Sequence, residues 1–110
     1  MPFIARTQHP PYYAVIFTSI NASVDHEAHT QTSRRLVEIA ARYKGFLGIE
    51  PARNADGSGV AAIYWADLGS INAFSRDPEH VVAKKKGRDI WYSNYMIRIC
   101  RVEQEYGKPD

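Results

Sequence analysis

The chain has 110 residues, of which 45% are hydrophobic and 24% charged, with a formal net charge of +2. That size and balance suit one domain with a single core and leave no composition typical of a long disordered segment. The small net charge and the lack of a ~20-residue apolar run argue against a nucleic-acid or membrane partner.

Residues 1–11 carry Pro2, Pro10 and Pro11, which cannot donate backbone hydrogen bonds, and read as an irregular arm without a signal-peptide pattern. Residues 12–20 (YYAVIFTSI) are β-branched and aromatic and predict a strand. Tyr13, Val15 and Phe17 lie on one face and Tyr12, Ala14, Ile16 and Ile20 on the other, so both faces need cover. A turn follows, with Asp25 as the expected N-cap of a helix over 26–43. Leu36, Ile39, Ala40 and Tyr43 form its apolar stripe, and Gly45 is placed to end it. Residues 46–53 predict a second strand, at an edge or bulged because of Pro51; Asn54-Ala55-Asp56-Gly57 predicts a hairpin turn, and 58–67 a third strand. A short helical segment starts at Asp67 or Ser70 and ends near Phe74. Asp77 then caps a helix with Pro78 at its first position, running to Trp91-Tyr92; Asn94 breaks it, and 95–103 is the last strand. The order is that of a ferredoxin-like βαββαβ fold of the α+β class: a four-stranded antiparallel sheet with helices on one face. Strands apolar on both faces then call for a second copy, packed sheet to sheet.

Several residues could carry chemistry. At about 100° per residue, His80, Ala83, Lys84, Gly87 and Trp91 share one face of the later helix. Gly87 costs that helix about 1 kcal/mol relative to Ala, so an aromatic ring or a ligand is expected close to its backbone. His80 lies near the positive end of the helix dipole, which favours a neutral imidazole able to orient a phenol; its structural reading is a local hydrogen bond and packing on Trp91. His26 and His29, three residues apart, read as a solvated helix end rather than a metal pair. Trp65 closes a strand, either in the core or as a stacking wall, with Tyr64 on the opposite face. Arg98, between Met96 and Cys100 on one strand face, needs a partner: Glu50, a carboxylate of a second chain, or an anionic or phenolate ligand. Lys84, Lys85, Lys86 and Arg88 wrap round their helix as solvated surface. The single cysteine, Cys100, excludes an internal disulfide, fits a reducing, cytoplasmic compartment, and is expected to be buried and inert. No Gly-rich phosphate loop, nucleophile elbow or C-x-x-C motif occurs.

The stretches GFLGIEPARNADGSGVAAIYWADLGSINAF, DPEHVVAKKKGRDIWY and YMIRICRVEQEY resemble the antibiotic biosynthesis monooxygenase superfamily. The resemblance covers residues 12–106, with 1–11 as an N-terminal arm and 107–110 as a tail. It implies a ferredoxin-like protomer, a homodimer whose sheets form an α+β barrel, and a cavity between sheet and helices. Some members of that superfamily oxygenate aromatic polyketides with O₂ and no flavin, metal or haem, the substrate itself supplying the electrons. Carried onto this chain, the resemblance implies a cofactor-free monooxygenase of a small hydroxylated aromatic. His80 would be the catalytic residue, and Trp65, Phe74, Trp91, Tyr92 and Arg98 would bind substrate. The alternative is a non-catalytic dimeric small-ligand-binding or stress-associated protein of the same fold. The haem-degrading branch uses a histidine where this chain has Lys84 and a tryptophan near the short helix that this chain lacks, so haem degradation is not expected.

Overall fold

A computed structural model describes residues 3–108; Pro2 of the arm and the last two residues of the tail lie outside them. The elements run β1 (Tyr12–Asn21), α1 (His26–Ala40), β2 (Phe46–Arg53), β3 (Ser58–Trp65), α2 (Leu68–Ser75), α3 (Pro78–Lys86), a π turn (Gly87–Trp91) and β4 (Tyr92–Val102). The four strands form one antiparallel sheet in the order β2-β3-β1-β4. This is the expected ferredoxin-like α+β fold. Pro51 lies on β2, an edge strand, where a missing donor is tolerated.

The register sorts the side chains. Tyr13 faces Trp65 across the β1–β3 ladder and Val15 faces Ile63, on the side that the helices cover. There Ala40 of α1, Trp65 and Ile71 of α2 form the buried core, flanked by Tyr43, Phe46 and Phe74. Trp65 is 2% exposed and meets the rings of Tyr43, Phe46 and Phe74 at centroid distances of 6.5, 5.5 and 5.4 Å. Tyr43 Oη donates to Asp77 Oδ2 at 2.8 Å, tying the end of α1 to the cap of α3. On the other face the arm crosses one end of the sheet, where the Ala5 N–H donates to Glu50 Oε2 at 2.9 Å. The rest of that face is open, with Ile20, Val60 and Met96 exposed.

Several expectations need correction. Helix α1 stops at Ala40 and not Tyr43; the Arg42 and Tyr43 amides reach back only three residues, to Ile39 and Ala40. Gly45 does not cap it; a Cβ there would stand 1.9 Å from Ser70 Oγ, so the glycine admits the first turn of α2. Asp25 is not a side-chain cap: its backbone is left-handed (φ 55°) and its carboxylate accepts Trp91 Nε1–H at 3.3 Å. Strand β3 ends at Trp65, and Asp67 caps α2 by accepting the Ser70 N–H at 2.7 Å. Asp77 accepts the Glu79 N–H at 3.0 Å with Pro78 in the first turn, as the sequence predicts. Strand β4 begins at Tyr92, three residues early, because the π turn ends with the Tyr92 N–H bonded to the Gly87 carbonyl and Tyr92 pairs at once with Asn21. Cys100 is exposed, because nothing covers β4 on its face. Among the described residues no helix is long and apolar enough to cross a membrane.

Candidate functional site

The residues singled out in the sequence fall into three places. Trp65, Phe74 and His80 come together: His80 stacks on Phe74 at 4.2 Å, and Phe74 lies against Trp65. This cluster is packed ring on ring. His80 Nδ1 lies 3.0 Å from the Phe74 carbonyl, and burial pushes the imidazole pKa down, keeping it neutral. Its local hydrogen bond matches the structural reading, but its ring partner is Phe74, not Trp91.

Trp91 and Tyr92 form a second group. The π turn, with its i to i+5 bond, carries Trp91 off the face of α3 that holds His80 and Ala83. Arg98 lies on the opposite face of the sheet. It shares a row with Glu50 through Ile16 and Ala62, but β1 and β3 intervene, so the two are three strand spacings apart, about 14 Å. Glu50 instead takes the Tyr64 hydroxyl and the Ala5 amide. The predicted Glu50–Arg98 pair therefore does not form.

The second group is built around a histidine read in the sequence as solvated. His29, in the first turns of α1, is 8% exposed. Its ring stacks on Trp91 at 4.8 Å and 7° between planes, and its Nε2 lies 2.9 Å from the Tyr92 hydroxyl. Tyr92 packs edge-on against both His29 and Phe17. The Ala22 N–H donates to the Trp91 carbonyl at 2.8 Å and Asp25 takes the indole N–H, so the turn before α1 is stitched onto Trp91. Gly87 makes the packing possible: a Cβ there would lie 3.1 Å from the Tyr92 ring. The ring expected against that glycine is present, and it is the protein's own.

Beside this pair opens a cavity of about 240 Å³, lined by Asn21, His26, His29, Thr30, Ser33, Arg34, Arg53 and Tyr92. Arg53 lies across Gly59, whose missing side chain leaves room for the guanidinium, and donates to Ser19 Oγ and the Gly57 carbonyl. Ser19 is 2% exposed. The Asn21 amide oxygen is buried and has no hydrogen-bond partner among the described residues. Burial, then the Arg53 charge, push the His29 imidazole below its ordinary value. Burial pushes the Tyr92 phenol up, against a smaller opposing pull from Arg53. At neutral pH the pair is a neutral imidazole bonded to an intact phenol. A second depression, an open groove between α1 and α3, is bridged by Arg35 and Glu79 at 3.2 Å, so its charges are already paired. Among the described residues no three His, Cys, Asp or Glu side chains gather to hold a metal ion.

Arg53, Ser19 and Asn21 escape a sequence reading because they are separated along the chain and meet only through the strands and the hairpin: Arg53 faces Gly59, Gly59 faces Ser19, and Arg53 and the Asn21 N–H share the Gly57 carbonyl. The glycine opposite an arginine is the signal that was available.

Solved structures share this fold. The cofactor-independent oxygenase SnoaB of Streptomyces nogalater superposes with a TM-score of 0.74 at 16% identity, covering 90% of this chain and 100% of that one. Rv0793 of Mycobacterium tuberculosis gives 0.75 at 10% identity over 87% of this chain and 99% of that one. A structure described as an antibiotic biosynthesis monooxygenase gives 0.71 at 12% identity over 84% and 99%. The chain thus has the fold of the antibiotic biosynthesis monooxygenase superfamily. No family model matches it. Among curated proteins it is 42% identical over 105 residues to the uncharacterized protein YqjZ of Bacillus subtilis strain 168, covering 96% of this chain and 91% of that protein. It belongs to the same family as YqjZ.

Proposed function

We propose that the protein is a cofactor-independent monooxygenase of a single-ring hydroxylated aromatic, working at the cavity beside His29 and Tyr92. The observation that carries this reading is a buried, neutral histidine hydrogen-bonded to a phenol that lines a cavity. Chemistry of this kind needs a route for the substrate's phenolic proton and an enclosure that limits water. A substrate hydroxyl donates to Tyr92 Oη, whose own proton passes to His29 Nε2. The resulting phenolate, electron-rich at ring carbon, reduces O₂ and forms a C–O bond; the hydroperoxide loses water to give a quinone. The balance is phenol plus O₂ to quinone plus water, with both electron pairs from the substrate. Trp91 holds the imidazole in plane from behind. The cavity volume lies below the ~300–1,000 Å³ typical of drug-sized ligands, which favours one ring over a fused polyketide. His80 remains a candidate base by residue type, but its ring is stacked on Phe74 and lines neither of the two depressions described above.

The test is O₂ uptake with a panel of single-ring phenols and hydroquinones. We expect one O₂ consumed per quinone formed, with His29→Gln and Tyr92→Phe slowing kcat by about 100-fold, the usual scale of general acid–base catalysis, and His80→Gln leaving it within a few-fold. Because Tyr92 already occupies Nε2, a second reading deserves the same experiment: a non-catalytic binder would bind the panel with no uptake above background.

The open sheet face supports a homodimer in which two sheets pack together. Val60, Thr18 and Met96 align in one row across three strands, with Ile20 beside them. A second copy presenting the same apolar rows would cover them.

A further inference from the structure

The cavity holds a cation, Arg53, that no carboxylate among the described residues neutralises. Arg53 spends its hydrogen bonds on two neutral acceptors, Ser19 Oγ and the Gly57 carbonyl, and its charge reaches both His29 and Tyr92. The carboxylates nearby are committed elsewhere. Asp25, which acts on His29 against Arg53, is held by the Trp91 indole, and Asp56 accepts the Ser58 amide and hydroxyl. At the rim Arg34 has no hydrogen-bond or ion-pair partner among the described residues, and the His26 ring lies beside it. Beside Arg53, whose Gly57 carbonyl acceptor also takes the Asn21 N–H, the buried Asn21 oxygen has no donor among the described residues. A cationic fork with free capacity, in a cavity of about 240 Å³ that the Tyr92 phenol also lines, defines a ligand that carries an anionic oxygen pair and a hydroxyl.

We propose, building on the reading above, that the substrate is a single-ring hydroxylated aromatic carboxylic acid. Its carboxylate lies on the Arg53 guanidinium, and the reacting hydroxyl donates to Tyr92. The carboxylate then does more than anchor. It offsets the Arg53 charge, which adds to burial in lowering the His29 pKa, so that part of the lowering is relieved when the acid is bound.

The experiment is anaerobic titration calorimetry with three probes of matched shape: gentisate, its carboxamide and hydroquinone. Working without O₂ separates binding from turnover. Gentisate should bind roughly tenfold or more tighter than either neutral probe, the scale of one charge-assisted contact, and added salt should erode only its binding. Arg53→Gln should erase the preference and Arg53→Lys keep part of it. Arg34→Gln, which breaks no contact in the fold, should trim it. In wild-type protein, NMR titration should show His29 protonating at higher pH with gentisate bound and unmoved with the amide. Equal affinities, a preference that survives both Arg53 variants, or no binding of any probe overturns the proposal. Arg53-dependent binding of gentisate without O₂ uptake sinks the oxygenase reading and leaves this one standing. Uptake with acids and neutral phenols alike does the reverse.

Discussion

Two histidines, His29 and His80, are each held neutral by burial, and they set the acid limit of the fold. Their native pKa values lie below the ordinary ~6.5, where the unfolded chain takes up its protons. The unfolded state therefore binds more protons as pH falls through that value, and stability drops with it. The loss levels off only when the native histidines protonate too. Denaturant midpoints should be flat above about pH 7 and fall as the pH drops below roughly 6.5, with His29→Gln and His80→Gln each removing part of the slope. A profile flat to pH 5 would show that neither ring is held neutral. The depressed carboxylates Asp67 and Asp77 act in a separate, lower window, since their contribution is intact above the ordinary carboxylate range. At the alkaline end the raised phenols of Tyr64 and Tyr92 reverse the sign: the unfolded chain ionises first near pH ~10, and stability declines above it.

The π turn is the element on which the site depends. It moves Trp91 from the α3 face to His29 and hands the chain to β4 at Tyr92. Gly87 sits where the Tyr92 ring crosses its backbone. Gly87→Ala gains about 1 kcal/mol of helix propensity, but its Cβ meets a ring already wedged between Phe17 and His29. We expect a net loss of about 1–2 kcal/mol in urea unfolding and a weaker His29–Tyr92 hydrogen bond by NMR. A variant more stable than wild type would show that the ring can give way. Gly87 also marks what could be read in advance. Its cost in a helix pointed to a ring or a ligand close by, and the strand faces, the hairpin and the Asp77-Pro78 start followed from alternation and cap chemistry. The π turn did not, because one extra residue in a helix leaves no trace in hydrophobic period when Val81 and Val82 already face solvent. His29 was misread for the same reason: what buries it is Trp91, which a regular helix would have sent elsewhere. Strand β4 was started late because Asn94 looks like a break, whereas the sheet pairs it with Ile20.

At the scale of the molecule, the two sheet faces are dressed unequally. Helices and the Trp65 cluster cover the first over β1, β2 and β3 but leave Ile97 and Ile99 of β4 exposed; on the second, the arm reaches the end near Glu50, leaving Ile20, Val60 and Met96 exposed. If two copies meet there, light scattering should report a dimer, and Val60→Asp or Met96→Asp should give a folded monomer, because a buried, unpaired carboxylate is costly. A wild-type monomer would instead leave that face to solvent. Arg98 and Cys100 lie in the adjoining rows, so a dimer should also slow thiol labelling at Cys100 relative to the Asp variants.

The stacking of His29 on Trp91 gives the protein an optical gauge of its own site. An imidazolium in face contact quenches indole emission, whereas a neutral ring does so far less. Trp65 is locked in the opposite cluster, against Phe74 with His80 stacked behind it, so the His80→Gln variant isolates the pH-dependent emission of Trp91. Whatever settles beside Arg53 and moves the His29 proton should therefore change the brightness of the unlabelled protein, with no chromophore on the ligand required.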